Sequence, residues 1–258
     1  MPDKINFSGY SEVNGLRMYY EIYGQGNPLV LIHGGGSTIQ TSFSRVIQPL
    51  AKNRKIIAVE LQAHGRTNDR NTALTFEQDA DDVAELLKNI QITKADFLGF
   101  SNGGHAIIEI AIRHSDLINK IILCSALYKR SGAVPQFWEG FENVTFSDMP
   151  QQFKDDFLKV NNNPAALINM FNKDVQRMKV FKDWTEENMK SIKAPTYIIN
   201  GTKDVGNPEH AVEMYRLIPN CELTILPGLH GEYLGETGTE NSILPEITVS
   251  LIENFLDK

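Results

Sequence analysis

Two kinds of apolar segment alternate along this chain. Leu29-Val30-Leu31-Ile32 and Ile56-Ile57-Ala58-Val59 are short continuous runs, the form taken by strands buried on both faces of a parallel sheet. Ala95–Gly99, Lys120–Ser125, Thr196–Asn200 and Glu222–Leu226 add further strands of this kind. Thr75, followed three residues later by Gln78, fits a capping box, and Phe76, Ala80, Val83, Leu87 and Ile90 recur at helical spacing. They predict a helix of about four turns over one sheet face. From His105 to Arg113 the chain is apolar nearly all round, as a helix packed deep on the sheet requires, with Glu109 the exception. Glu109 is expected at a solvent edge or in a satisfied polar contact. Between the first two strands there is room for one short helix. Ser242–Leu256 predicts a closing helix through Ile243, Leu244, Ile247, Leu251, Ile252 and Phe255, with Pro245 tolerated in its first turn. Upstream, Leu16–Tyr23 mixes alternation with aromatic residues, and Gly24–Pro28 supplies a turn, which predicts an antiparallel edge hairpin.

Strands alternating with helices imply an α/β fold: a mainly parallel, doubly wound sheet with helices on both faces. Residues 128–192 break the rhythm. They hold no convincing buried strand but many aromatics: Phe137, Trp138, Phe141, Phe146, Phe153, Phe157, Phe171, Phe181 and Trp184. Such a length predicts a helical cap inserted into a core formed by 1–127 and 193–258. Most of these rings are expected in the cap's own core, and some around a small-molecule pocket.

Composition narrows the partners. At 258 residues and 41% hydrophobic content, the chain suits one well-cored domain with an insertion. A net charge of −7 argues against a large basic surface for nucleic acid or anionic lipid. Cys124, inside an apolar run, is expected to be a buried free thiol, which mildly favours a reducing compartment. Residues 1–7 lack the apolar core of a signal peptide, and no run approaches the roughly 20 residues of a membrane span. The expectation is a cytoplasmic protein without a membrane partner, although a chain whose signal had been removed would read the same way. Oligomeric state, a homo-oligomer included, is left open.

The sharpest chemical signal is Gly99-Phe100-Ser101-Asn102-Gly103-Gly104, between a strand and an apolar helix. A serine on a tight strand-to-helix turn projects its hydroxyl while small neighbours avoid collision, and the N–H groups that follow face a developing anion. His33-Gly34-Gly35-Gly36-Ser37 also ends a strand, and its glycines allow the close backbone approach of an oxyanion-binding turn. A serine nucleophile needs a base and a group to orient it. Asp204 and His230 follow the last two strands, so all three candidates lie beyond strand carboxyl ends, in the order serine, acid, histidine. Ser125-Ala126-Leu127 offers no rival carboxylate, whereas His64, His105, His114 and His210 are rival histidines less well placed. His33 and His64 are expected to tie turns together. No nucleotide-phosphate loop, Cys-x-x-Cys or His-Glu-x-x-His pattern is present, so neither a metal nor another cofactor is expected.

These motifs resemble those of the α/β-hydrolase superfamily, in style its small capped esterases, lactonases and cofactor-free haloperoxidase-like proteins. The resemblance runs from Leu16 to the last helix. It implies Ser101 as nucleophile, Asp204 as acid and His230 as base. It also implies an oxyanion hole from the N–H groups of Gly35 and Asn102, with His33, Gly34 and Gly36 supporting that loop. Glu60–Thr67 resembles the family's Asp-x-x-Gly-His-Gly-x-Ser motif, with Glu60 and Ala63 departing from its spelling. The expected activity is hydrolysis of a small carboxylic ester or lactone carrying an apolar or aromatic group, through an acyl-enzyme. The alternatives are cleavage of a carbon–carbon bond or an amide, a noncatalytic ligand receptor, and an interaction protein that kept only the scaffold.

Overall fold

The computed structural model describes residues 5–258, so the signal-peptide reading at residues 1–4 falls outside it. Strands β1 (Ile5–Val13), β2 (Leu16–Tyr23), β3 (Asn27–Ile32), β4 (Arg54–Val59), β5 (Ala95–Phe100), β6 (Ile118–Cys124), β7 (Thr196–Lys203) and β8 (Cys221–Leu229) form one sheet in the order β1-β2-β4-β3-β5-β6-β7-β8. Only the β1–β2 and β2–β4 pairings are antiparallel; from β4 to β8 every neighbour is parallel. The helices are α1 (Ile39–Phe43), α2 (Ile47–Leu50), α3 (Phe76–Asn89), α4 (Asn102–Arg113), α5 (Pro135–Asn143), α6 (Gln151–Val160), α7 (Pro164–Lys179), α8 (Glu186–Ser191), α9 (Pro208–Leu217) and α10 (Leu244–Leu256).

The continuous apolar strands serve two cores at once. Val30, Ile32, Ile57, Val59, Phe97, Ile121 and Leu123 face α3 and α4, whereas Leu29, Leu31, Ile56, Ala58, Leu98, Ile122 and Cys124 face the side covered by α1, α2 and α10. Because successive residues of a strand point to opposite faces, two buried faces demand an unbroken apolar run.

Three local expectations change. The hairpin expected through Gly24–Pro28 does not form, because that segment leads to β3, which β4 separates from β2; β2 instead pairs with β1, a strand the sequence reading did not assign, through the Asn14-Gly15 turn, both at positive φ (47° and 77°). Two short helices, α1 and α2, occupy the space expected to hold one. At the start of α3, Thr75 Oγ1 accepts the Gln78 N–H at 3.1 Å, but Gln78 Nε2 turns to Asp82, so only half the capping box forms.

Between β6 and β7 the chain leaves the sheet for α5–α8, and its aromatics divide by function. Phe157 is fully buried with Met149, Leu167 and Met170. Phe181 packs on Phe76 of α3, and Phe137, Phe141, Phe153 and Phe171 border a cavity over the sheet's carboxyl edge. Glu109 makes a satisfied contact, accepting Trp184 Nε1 at 2.5 Å.

The glycines around Ser101 set how closely α4 meets the sheet. A Cβ on Gly103 would collide with the Ile32 and His33 carbonyls, and one on Gly104 would lie 2.7 Å from Ala126 Cβ. Backbone offers no rotamer escape, so Gly103→Ala is expected to destabilise the protein by about 1–3 kcal/mol, as overpacking does. Urea denaturation followed by tryptophan fluorescence measures this, and an unchanged midpoint would contradict it.

Candidate active site

Ser101 joins β5 to α4 with φ 52° and ψ −117°. A non-glycine residue held in so sparsely populated a region costs about 1–3 kcal/mol. The turn is gripped from both sides: the Ser101 N–H donates to the Cys124 carbonyl at 2.8 Å, and the Ser101 carbonyl accepts from Gly104 and His105 at 2.9 and 3.2 Å. Ser101 thereby borders the cavity, of about 300 Å³, together with His230, Gly35, Gly36 and Asn102.

His230 Nδ1 donates to Asp204 Oδ1 at 2.6 Å, with the Asp204 side chain fully buried and that of His230 26% exposed. Burial opposes charge on the imidazole, but the charge and hydrogen bond of Asp204 outweigh it and raise the His230 pKa above its usual 6.5. Burial likewise works against the Asp204 carboxylate. The charge and hydrogen bond of His230, then the Ser125 hydroxyl and the Gly201 N–H, hold its pKa below the ordinary value. With Nδ1 committed to Asp204, Nε2 is left for proton transfer. No direct hydrogen bond joins the side chains of Ser101 and His230 among the described residues, a contact that often tightens only in the substrate complex.

Ser125 and Tyr233 escaped sequence reasoning. Ser125 Oγ donates to Asp204 Oδ2 and meets Tyr233 Oη at 2.6 Å, while Tyr233 Oη donates to the Ile199 carbonyl at 3.1 Å. Ser125, Asp204 and His230 thus form a hydrogen-bonded chain. Ser125 is its buried rear end and lies outside the cavity lining, whereas Ser101 shares the cavity with His230. The available signal was position: Ser125 directly follows β6, the immediate neighbour of β7, which Asp204 directly follows.

In the glycine loop, Gly34 N donates weakly to Ser42 Oγ at 3.4 Å and Gly36 N to Asp174 Oδ2 at 2.5 Å. The Gly35 N–H between them, and the Asn102 N–H at the first turn of α4, enter no internal hydrogen bond among the described residues. His33 and His64 each hydrogen-bond backbone groups of neighbouring turns. His33 Nδ1 donates to the Gly34 carbonyl and Nε2 accepts the Leu61 N–H; burial, then the neighbouring charge of His64, pushes its pKa down to about 3. His64 donates from Nδ1 to the Gln62 carbonyl and from Nε2 to Asp174, and although burial opposes its charge, Asp174 raises its pKa.

The rival histidines are occupied elsewhere. His105 accepts the Leu127 N–H and burial holds it down to about 3; His210 accepts the Tyr128 N–H and burial holds it down to about 4. His114 pairs with Asp81. Among the described residues no group of three or more His, Cys, Asp or Glu is arranged to hold a metal ion, and no helix is long and apolar enough to cross a membrane.

The chain matches the family model described as alpha/beta hydrolase family over residues 29–232, and it belongs to that family. It is 27% identical over 141 residues to pimeloyl-(acyl-carrier protein) methyl ester esterase of Vibrio atlanticus, a match spanning 54% of this chain and 52% of that protein, about half of each. It is 25% identical to the non-heme chloroperoxidase CPO-A1 of Kitasatospora aureofaciens over 83% of this chain and 88% of that one. Its fold superposes with a TM-score of 0.79 on a serine hydrolase involved in carbazole degradation, at 20% identity and covering 97% of this chain and 98% of the other.

Glu236 adds a second carboxylate beside the imidazole, and its negative charge contributes to the raised pKa of His230. Burial pushes Glu236 itself up to about 7, against the opposing charge of His230 and a long hydrogen bond from Ser37. On the expectation that His230 is the base, which must be neutral to act, kcat/KM falls as pH drops through the His230 pKa. Glu236→Gln removes negative charge, disfavours the imidazolium and moves that acid limb to lower pH. A pH–rate profile of the variant that overlays the wild type would contradict the assignment.

Proposed function

We propose that the protein is a serine hydrolase that cleaves small, uncharged carboxylic esters or lactones through an acyl-enzyme on Ser101. The observation that carries this reading is the meeting, in one cavity, of a strained serine, a histidine held by a buried aspartate, and two unengaged backbone N–H groups. Ser101 Oγ attacks the acyl carbon as His230 Nε2 takes its proton, and Asp204 supports the imidazolium through Nδ1. The tetrahedral oxyanion faces the N–H groups of Gly35 and Asn102, each worth roughly 3 kcal/mol to the transition state in comparable sites. His230 then protonates the departing alcohol oxygen. A water, deprotonated by the same histidine, attacks the acyl carbon, and collapse of that second intermediate returns the proton to Ser101 and releases the acid.

Substrate class follows from the lining. Phe137, Phe141, Phe153, Phe171, Met149 and Met178 surround the cavity; among the residues bordering it, His230 is the sole potential cation, and two carboxylates, Asp148 and Asp174, are present. Such a wall favours an apolar or aromatic group and gives a substrate carboxylate no counter-charge. Residues 128–192, which supply most of this wall, serve as the cap.

Steady-state hydrolysis of aryl, alkyl and lactone esters tests the proposal. Ser101→Ala is expected to lower kcat by about 10⁴-fold or more while the protein stays folded. Ser101→Gly, equally inactive, is expected to be more stable than Ser101→Ala by about 1 kcal/mol, because glycine relieves the positive φ. Absence of turnover by the wild type would reject the ester reading. Ligand binding or cleavage of an amide or carbon–carbon bond would then take its place.

A further inference from the structure

Asp174 is a carboxylate carried by cap helix α7 that reaches down into the wall of the catalytic cavity. Both oxygens are engaged. Oδ2 accepts the Gly36 N–H at 2.5 Å and His64 Nε2 at 2.7 Å, while Oδ1 accepts Arg177 Nη2 at 2.5 Å. Arg177 continues to Asp79 Oδ2 of α3 at 2.8 Å, and the His33 ring lies tilted against that of His64, ring centroids 4.9 Å apart. With three internal donors on its roughly four lone-pair sites, Asp174 is poorly placed to receive a cationic substrate. Burial opposes its ionisation, but the charges of His64 and Arg177 keep it well below the usual carboxylate range.

The contact with Gly36 matters because of where the glycine loop sits. Gly36 has φ 66°, so the turn is held in a left-handed conformation. Gly35 is wedged between the Asn102 side chain and Asp174: a Cβ at Gly35 would collide with Asn102 Nδ2 and lie 3.4 Å from Asp174 Oδ2. One cap carboxylate therefore pins the loop next to the N–H that is to receive the oxyanion.

Resting on the hydrolase reading above, we propose that Asp174 is a positioning residue that holds the oxyanion loop from the cap, so that the Gly35 donor is in place only when α7 is docked on the core. Without the carboxylate the Gly36 N–H loses its anchor and the neighbouring donor drifts, and misplacement by about 1 Å is enough to lower a rate by about 10²-fold. The loss falls on the transition state, whose oxyanion needs the donor, more than on ground-state binding in the apolar cavity.

The test compares Asp174→Asn with Arg177→Gln, which breaks the same buried ion network without touching Gly36. Each variant is assayed for kcat and KM on the best aryl ester and for affinity toward an alkyl trifluoromethyl ketone, which forms a tetrahedral oxyanion adduct with serine. Expected for Asp174→Asn are a kcat lower by about 10–100-fold, a KM within about threefold, and ketone affinity reduced in parallel with kcat/KM. Arg177→Gln, despite comparable destabilisation by thermal melting, is expected to lose less than about threefold in kcat. Should Asp174→Asn fail to fold, Asp174→Glu takes its place, with the same pattern expected from a carboxylate displaced by one methylene. Equal losses in the two variants, or a change confined to KM, would overturn the positioning role while leaving the hydrolase reading intact. A wild type without ester turnover or ketone affinity would overturn both.

Discussion

Everything at the catalytic edge hangs on how closely α4 approaches the sheet. Gly99 and Gly103 let backbone meet backbone where any Cβ would intrude, and that proximity compresses the β5–α4 connection into a single residue, Ser101, at φ 52°. The strain is tolerated because both its peptide groups are hydrogen-bonded and the nine residues of α4 from Gly103 to Ala111 are all buried. From this one turn follow a hydroxyl that borders the cavity, an unspent N–H on Asn102, and a helix N-terminus beside it.

Around that turn, buried charge is managed by pairing. Asp204 and Asp174 are both desolvated, and each remains ionised because a histidine and further donors meet its two oxygens. Such pairs add little net stability, since desolvation consumes most of the Coulomb gain, but they fix geometry strongly because breaking one leaves a buried charge uncompensated. One pair orients His230, and the other fastens the cap to the core. The same physics thereby orients the candidate base and ties the glycine loop to α7.

The sequence carried the sheet with little loss. Unbroken apolar runs announced strands buried on both faces, and helical periodicity announced α3, α4 and α10, because burial on a given face constrains residue type directly. Ser101, Asp204 and His230 could be singled out as candidates because each follows a strand, and parallel strands deliver their carboxyl ends to one edge. The Asn14-Gly15 turn was overlooked in favour of Gly24–Pro28. Both segments are glycine-containing turns, and only the insertion of β4 between β2 and β3 tells them apart.

Other features had no local signature. Ser125 looks like any small residue at a strand end, and its bond to Asp204 exists because β6 and β7 are neighbours in the sheet. Asp174 is one of several charges on a mixed-charge cap helix, and Glu236 lies in a loop rich in acidic and small residues. Their partners, His64 and Gly36 for the one and His230 for the other, are remote in sequence or fixed by a turn that the chain makes elsewhere. By itself the sequence determined the layered fold and the candidate residues that follow its strands, since those depend on periodicity and on position after a strand. Only the tertiary structure decided which buried carboxylate faces which histidine and how the cap is fastened, because these depend on distances between segments that no local pattern encodes.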